Sequence, residues 1–232
     1  MTKNRKTRNQ PHEEWQLQFR QQRRNPPSLK RAAPFLTEKP TILIVSEGEN
    51  TEPSYFRKFR LSSATIKAIG DGRNTVSVVK QAIELSSKRH YEQVWCVFDK
   101  DDFPAKDFNS AIAMAAANNI KAGYSNQAFE YWLILNFADH QGGKMNRKDY
   151  HHVIDTYTRP LGVRYNGKTD KQISEDLFDA LMAIDNVTNV KRVELAISRA
   201  KRNYKAVAHL SPAEQQSVST VFRLVEEILK YA

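Results

Sequence analysis

The chain has 232 residues, 40% of them apolar, and a net charge of +10 at pH 7. That length suits one large domain or a domain with an appendage, and no apolar run approaches the ~18 residues that a membrane-spanning helix needs. The single cysteine, Cys96 within VWCVF, excludes an internal disulfide and reads as a buried small hydrophobe. The basic, polar amino terminus lacks the apolar segment of a secretory signal, so a reducing cytoplasm is the expected compartment.

Charge is distributed unevenly. Residues 1–40 hold ten basic and three acidic residues, which is +7 of the +10. Such an arm, containing Arg23 and Arg24, suits either a polyanion partner such as nucleic acid or a solvated tail. Within it, HEEWQLQFRQQRR (12–24) reads as a short helix with Trp15 and Phe19 at i, i+4. Prolines 26, 27, 34 and 40 then break regularity, placing a domain boundary near Thr41.

From Thr41 strand and helix alternate. TILIVS (41–46) is a continuous, β-branched run, as in a strand buried on both faces. EPSYFRKFRL (52–61) is a short helix with Pro53 in its first turn. ATIKAIG (64–70) is a second strand, and residues 75–89 form a helix with Val76, Val79, Ala82, Ile83 and Ser86 on one face. QVWCVFD (93–99) is a third strand, 103–119 an Ala-rich helix, IKAGYS (120–125) a fourth strand, and QAFEYWLILNFA (127–138) an apolar helix. Four such alternations with short connections predict an α/β fold: a parallel sheet with helices on both faces. Residues 141–232 read as a helical extension, with helices near 146–157, 170–184, 189–207 and 211–231. The last of these opens on the capping box SPAE.

In parallel sheets ligands bind at the carboxyl ends of strands. Glu47 follows the first strand and Asp99 ends the third, so both belong to that edge. In VFDKDDF, Asp99 and Asp101 share a side of the chain at i and i+2, with Lys100 turned aside and Asp102 following. Carboxylates that close repel one another, which raises a pKa or demands a cation. Their hard oxygens favour Mg²⁺ or Mn²⁺, which makes the cluster a candidate for metal-assisted phosphoryl chemistry. Asp101 or Asp102 would otherwise simply cap the helix that follows.

The blocks ILIVSEGENTEPSYF, VFDKDDF and SNQAFEYWLILNF, in this order, resemble RloB-like proteins, a bacterial family of restriction and phage-defence loci. An acid and glycine after the first strand, with D-x-D after a later one, resembles the Toprim signature. The resemblance covers about residues 40–207. It implies a Toprim-like fold and metal-dependent cutting of nucleic acid, with host tRNA or invading DNA as the substrate class. It also implies Glu47 as general acid/base or metal ligand, Asp99 and Asp101 as metal ligands, and Asp102 as a ligand through water. In the third block Ser125, Asn126, Phe129, Glu130 and Trp132 match the family pattern, while Asn136 stands where histidine is usual.

Other residues extend the candidate site. Glu130 binds a second metal, holds a basic side chain, or is a paired acid at a helix start. Asn126 is placed to cap that helix. Glu52 falls in a first helical turn, where an acid is favoured without any ligand. Lys168, in YNGKTD, is the candidate for stabilising charge on a phosphate. Arg159 and Arg164 in the same loop region, and Lys191, Arg192, Arg199, Lys201 and Arg202 on the helix 189–207, offer phosphate contacts or a solvated face. His151 and His152 are adjacent on a helix and face apart. No phosphate-binding P-loop is present, so ATP hydrolysis is not expected of this chain.

Two functions follow. One is a divalent-metal-dependent endonuclease acting on RNA or DNA. The other is a non-catalytic, nucleic-acid-binding subunit serving an ATPase partner. A D-x-D transferase is a third and weaker reading, and self-association is compatible with all three.

Overall fold

The computed structural model describes residues 40–68, 75–167 and 169–232. The basic arm with Arg23 and Arg24, and Lys168, lie outside the described residues. Five strands form one sheet: β1 (Ile42–Ser46), β2 (Ala64–Ala68), β3 (Gln93–Asp99), β4 (Lys121–Asn126) and β5 (Val218–Ser219). Their order is β2-β1-β3-β4-β5, with the first four parallel and β5 antiparallel to β4. Eight α-helices accompany them among the described residues: α1 (Thr51–Lys58), α2 (Thr75–Lys88), α3 (Ala105–Ala117), α4 (Glu130–Phe137), α5 (Tyr150–Thr158), α6 (Glu175–Met182), α7 (Arg192–Val207) and α8 (Phe222–Leu229).

The run ILIVS is buried throughout, and its alternation assigns the two layers. Leu43 and Val45, with Cys96 and Phe98 of β3, pack on Val78, Val79 and Ala82 of α2 and on Phe108, Ala111 and Ala115 of α3. Ile42 and Ile44, with Trp95 and Val97, face the larger layer built from α1, α4 and the carboxyl-terminal helices. Tyr131, Trp132, Leu133, Ile134 and Leu135 of α4 are all buried, so this helix is a central rod rather than an amphipathic cover. Among the described residues no helix is long and apolar enough to cross a membrane.

The predicted helix 211–231 is corrected. Its capping box does form, with the Ser211 N–H donating to Glu214 Oε2 at 3.2 Å, but it closes only a 3-10 turn, Pro212–Glu214. The chain then enters β5. Distant partners decide this: the Thr220 N–H donates to the Tyr124 carbonyl at 2.7 Å, and the Tyr124 N–H donates to Thr220 Oγ1 at 2.8 Å. A capping motif specifies where a turn starts, but its continuation depends on what lies alongside.

The basic row on α7 divides into inward-facing and exposed members. Arg192 is buried, donating from Nη1 to the Ala180 carbonyl at 2.9 Å, with its guanidinium 5.5 Å from the Phe137 ring centre. Arg199 Nη1 donates to the Leu135 carbonyl at 2.8 Å, at the end of α4. Arg202 Nη2 donates to Asp139 Oδ1 at 2.6 Å, and Lys201 pairs with Glu226. Guanidinium groups here satisfy carbonyls left open at helix ends. Arg192 and Arg199 thereby fasten α7 to its neighbours, while Lys201 and Arg202 stay exposed in surface ion pairs. Lys191, Arg159 and Arg164 stay exposed. Arg192→Ala is expected to cost about 2–3 kcal/mol of stability, because it removes the partner of a partly buried carbonyl and opens a gap. Nucleic-acid affinity should not change. Urea denaturation together with a filter-binding assay checks both.

Candidate active site

Parallel pairing of β1 with β3 brings the acids together. Ser46 lies level with Val97, so Glu47 leaves β1 beside the last residues of β3. Its N–H donates to the Val97 carbonyl at 3.0 Å, and the Asp99 N–H donates to Glu47 Oε2 at 3.4 Å. Asp99 ends β3 level with Ser125 of β4. Its Oδ2 accepts the Phe129 N–H at 3.0 Å, so Asp99, not Asn126, satisfies the entry to α4. Asn126 instead donates to the Ala213 carbonyl at 3.0 Å.

Glu47, Glu52, Asp99, Asp101 and Glu130 line one cavity of about 660 Å³. Asp101 arrives by a route different from strand alternation. The strand stops at Asp99, and Asp101 turns back in the left-handed region at φ 41°, a conformation that aspartate tolerates. Lys100 is directed away, donating to the Phe103 carbonyl. Asp102 is exposed and outside the cavity lining, so the expected ligand there is not brought in. Neither aspartate caps α3, whose N-cap position is Pro104.

The electrostatics are those of crowded, desolvated acids. Burial raises Glu47 to about 7, against the opposing Asp99 N–H, and the Asp101 charge adds to the rise. Burial also raises Glu52 to about 7; backbone N–H groups oppose this, and Glu130 and Glu47 reinforce it. Asp99 stands well above the usual carboxylate range through burial first, then through Glu52, Asp101 and Glu130. Asp101 is raised by burial and held back by Arg147, its ion-pair partner. Glu130 Oε1 accepts the Tyr165 hydroxyl at 2.9 Å, so among the described residues its hydrogen-bond partner is a phenol.

Glu52 comes close because Gly48 has no side chain. A Cβ at residue 48 would overlap the Glu52 carboxylate. Gly48→Ala is therefore expected to displace Glu52 from the cavity at a cost of about 1–2 kcal/mol, leaving the fold intact. Circular dichroism and a Mn²⁺ titration separate the two effects, and undiminished Mn²⁺ binding would show that Glu52 makes no contribution.

Several lining residues escaped the sequence. Arg147, Lys148 and Lys171 form a basic rim, with His151, read from the sequence only as facing away from His152, beside them. Arg147 lies 46 positions from Asp101, and no spacing rule joins them. Lys171 stands three positions beyond the predicted Lys168, in the same loop. Asn136 is absent from the lining: it is buried deep in α4, donating to the Trp132 carbonyl at 2.9 Å, six residues or roughly 9 Å along the helix from Glu130. A histidine at this position would therefore not reach the cavity along α4.

Among the described residues no three His, Cys, Asp or Glu side chains are already grouped to hold a metal ion. The acids are engaged elsewhere, Asp101 by Arg147 and Asp99 Oδ2 by the Phe129 N–H. The donor chemistry nevertheless fits a hard divalent cation: all the acids offer oxygen, and Asp99 Oδ1 is buried without a partner. No curated protein and no solved structure matches the chain. The family model described as RloB-like protein matches residues 42–228, a span that includes every acid of the cavity, and the chain belongs to that family.

Proposed function

We propose that the chain is a Mg²⁺- or Mn²⁺-dependent phosphodiesterase that cuts nucleic acid, RNA such as tRNA or DNA, in antiphage defence. The observation that carries this reading is the convergence on one cavity of Glu47, Glu52, Asp99, Asp101 and Glu130, with the exposed Glu49 beside them and Asp99 Oδ1 without a partner among the described residues. Burying that much like charge is costly, and a cation offsets the cost. The defence setting rests on family membership.

Glu47, Asp99 and Asp101 would hold the cation, which supplies Lewis acidity and neutralises charge at a phosphodiester. Glu47 is either one of those oxygen ligands or, left free beside them, the group that moves a proton at a carboxylate oxygen. Lys148 and Lys171 draw phosphate oxygens to the rim. Ala128 and Phe129, buried at the base, keep water out from below.

The test is incubation of the full chain with labelled RNA and DNA in EDTA, Mg²⁺ or Mn²⁺. Cleavage is expected only with metal, and Glu47→Gln should slow it by about 100-fold or more. Equal cleavage in EDTA would refute the proposal. Binding without cleavage under every condition would favour the non-catalytic subunit.

A further inference from the structure

Arg147 holds a position that the proposed reaction leaves unexplained. Its backbone is pinned: the N–H donates to Gln127 Oε1 at 3.0 Å, at the start of a 3-10 turn, Arg147–Asp149. Asp101 is pinned by the same residue, its N–H donating to the Gln127 carbonyl at 3.0 Å. Gln127 thus holds both partners of the Asp101–Arg147 ion pair at the cavity edge. The two side chains differ in freedom. Asp101 has a short stem on a left-handed backbone, while the Arg147 side chain is long and 38% accessible.

That pair sits where a cation would need to be. Asp101 is one of the oxygen donors, and in the structure a guanidinium occupies it. A divalent ion at the same carboxylate attracts it with twice the charge of the guanidinium and repels the guanidinium itself. Once displaced, Arg147 has a planar fork that matches a phosphate with two parallel hydrogen bonds. Lys148 and Lys171 line the same cavity, so a phosphate drawn to that rim comes within the neighbourhood of the freed side chain.

We infer that Arg147 is a phosphate-binding residue held in reserve by Asp101: a divalent cation that enters the acidic cavity takes over Asp101 and hands the guanidinium to the phosphate of the bound nucleic acid. This rests on the metal-dependent reading proposed above. It makes Arg147 a placeholder in the metal-free protein and a substrate contact in the loaded one. One substitution then has two opposite effects, weakening nucleic-acid binding and tightening metal binding. A residue with only a structural role would not produce that pair of changes.

The experiment uses the full chain as wild type, Arg147→Ala, Arg147→Lys and Asp99→Asn. Mn²⁺ affinity is read by electron paramagnetic resonance without nucleic acid. Affinity for a short fluorescein-labelled single-stranded RNA, and for DNA of the same sequence, is read by anisotropy in Ca²⁺. Arg147→Ala should tighten Mn²⁺ by about three- to tenfold, the scale of a partly exposed ion pair removed from competition. In Ca²⁺ it should weaken the better-bound oligonucleotide by about tenfold, a loss absent in EDTA. Arg147→Lys keeps the charge without the fork, and should fall between wild type and Arg147→Ala in both assays. Unchanged or weaker Mn²⁺ binding in a folded Arg147→Ala would overturn the competition for Asp101. Unchanged oligonucleotide affinity would overturn the phosphate contact, and either result alone defeats the handover. If wild type binds no Mn²⁺, or Asp99→Asn binds it equally well, the metal-dependent reading fails and takes this inference with it.

Discussion

Replacing Asp99 by Asn is expected to abolish divalent-cation binding and nucleic-acid cleavage while making the metal-free protein more stable. Asp99 is surrounded by Glu52, Asp101 and Glu130, and burial adds to their repulsion. Its Oδ1 has no partner among the described residues. Asparagine keeps an acceptor for the Phe129 N–H, so the entry to α4 survives, and it removes one charge from the crowd. The gain should be about 1–2 kcal/mol at pH 8, read as a rise of about 3–6 °C in melting temperature in EDTA. Cleavage in Mg²⁺ should fall by about 1,000-fold or more, since in the proposed reaction the cation would supply most of the charge stabilisation. Asp99→Ala would lose cleavage equally but forfeit the hydrogen bond to Phe129, and its melting temperature should lie below that of Asp99→Asn. An Asp99→Asn protein that melts lower than wild type at pH 8 would show that the acids are not in conflict. One that cleaves normally would remove Asp99 from the chemistry.

The metal-free protein should lose stability as pH rises from about 4.5 through 7, the reverse of ordinary acid unfolding. Glu47 and Glu52 both stand near 7 in the folded chain, against 4.5 in an unfolded one. Between these values the folded state binds more protons than the unfolded state, so stability falls with increasing pH. The contribution is fully present below 4.5 and lost above about 7. For Glu52, which is buried, a shift of that size at ~1.4 kcal/mol per pH unit corresponds to ~3 kcal/mol. Glu47 is partly exposed and adds less. Mn²⁺ should reverse the trend, because a cation favours the ionised acids. Its stabilisation should be small at pH 5 and several kcal/mol at pH 8. Thermal melts across this range, with EDTA or Mn²⁺, give the answer. A metal-free protein that becomes steadily more stable from pH 5 to 8 would rule out the raised acids. Glu52→Gln, which removes the larger contribution, should flatten the curve.

Much of the architecture was legible because it is written in local patterns. The ILIVS run and VWCVF have the continuity of strands buried on both faces, and four strand–helix alternations leave few topologies other than a parallel sheet. That topology alone sends Glu47 and Asp99 to one edge, where both line the cavity. Glu130 was legible as an acid out of place in an apolar helix. The residues misread are those whose role depends on a distant partner. β5 is two residues long and exists because Tyr124 and Thr220 bond each other across 96 positions. Arg192 and Arg199 look like members of a surface row in one dimension, yet each donates to a distant carbonyl, at Ala180 and Leu135.

The amino-acid sequence by itself determined the α/β class, the parallel order of chain growth and the identity of the acids at the strand ends. Periodicity and strand polarity act over a few residues, so they can be read along the chain. Tertiary structure alone decided that Glu52 would join those acids over a side-chain-free Gly48, that Asp102 would stay outside, and that Arg147 would close on Asp101. These are matters of which side chains meet. Packing distant segments together and excluding water from between them sets both the meetings and the strength of the charges involved.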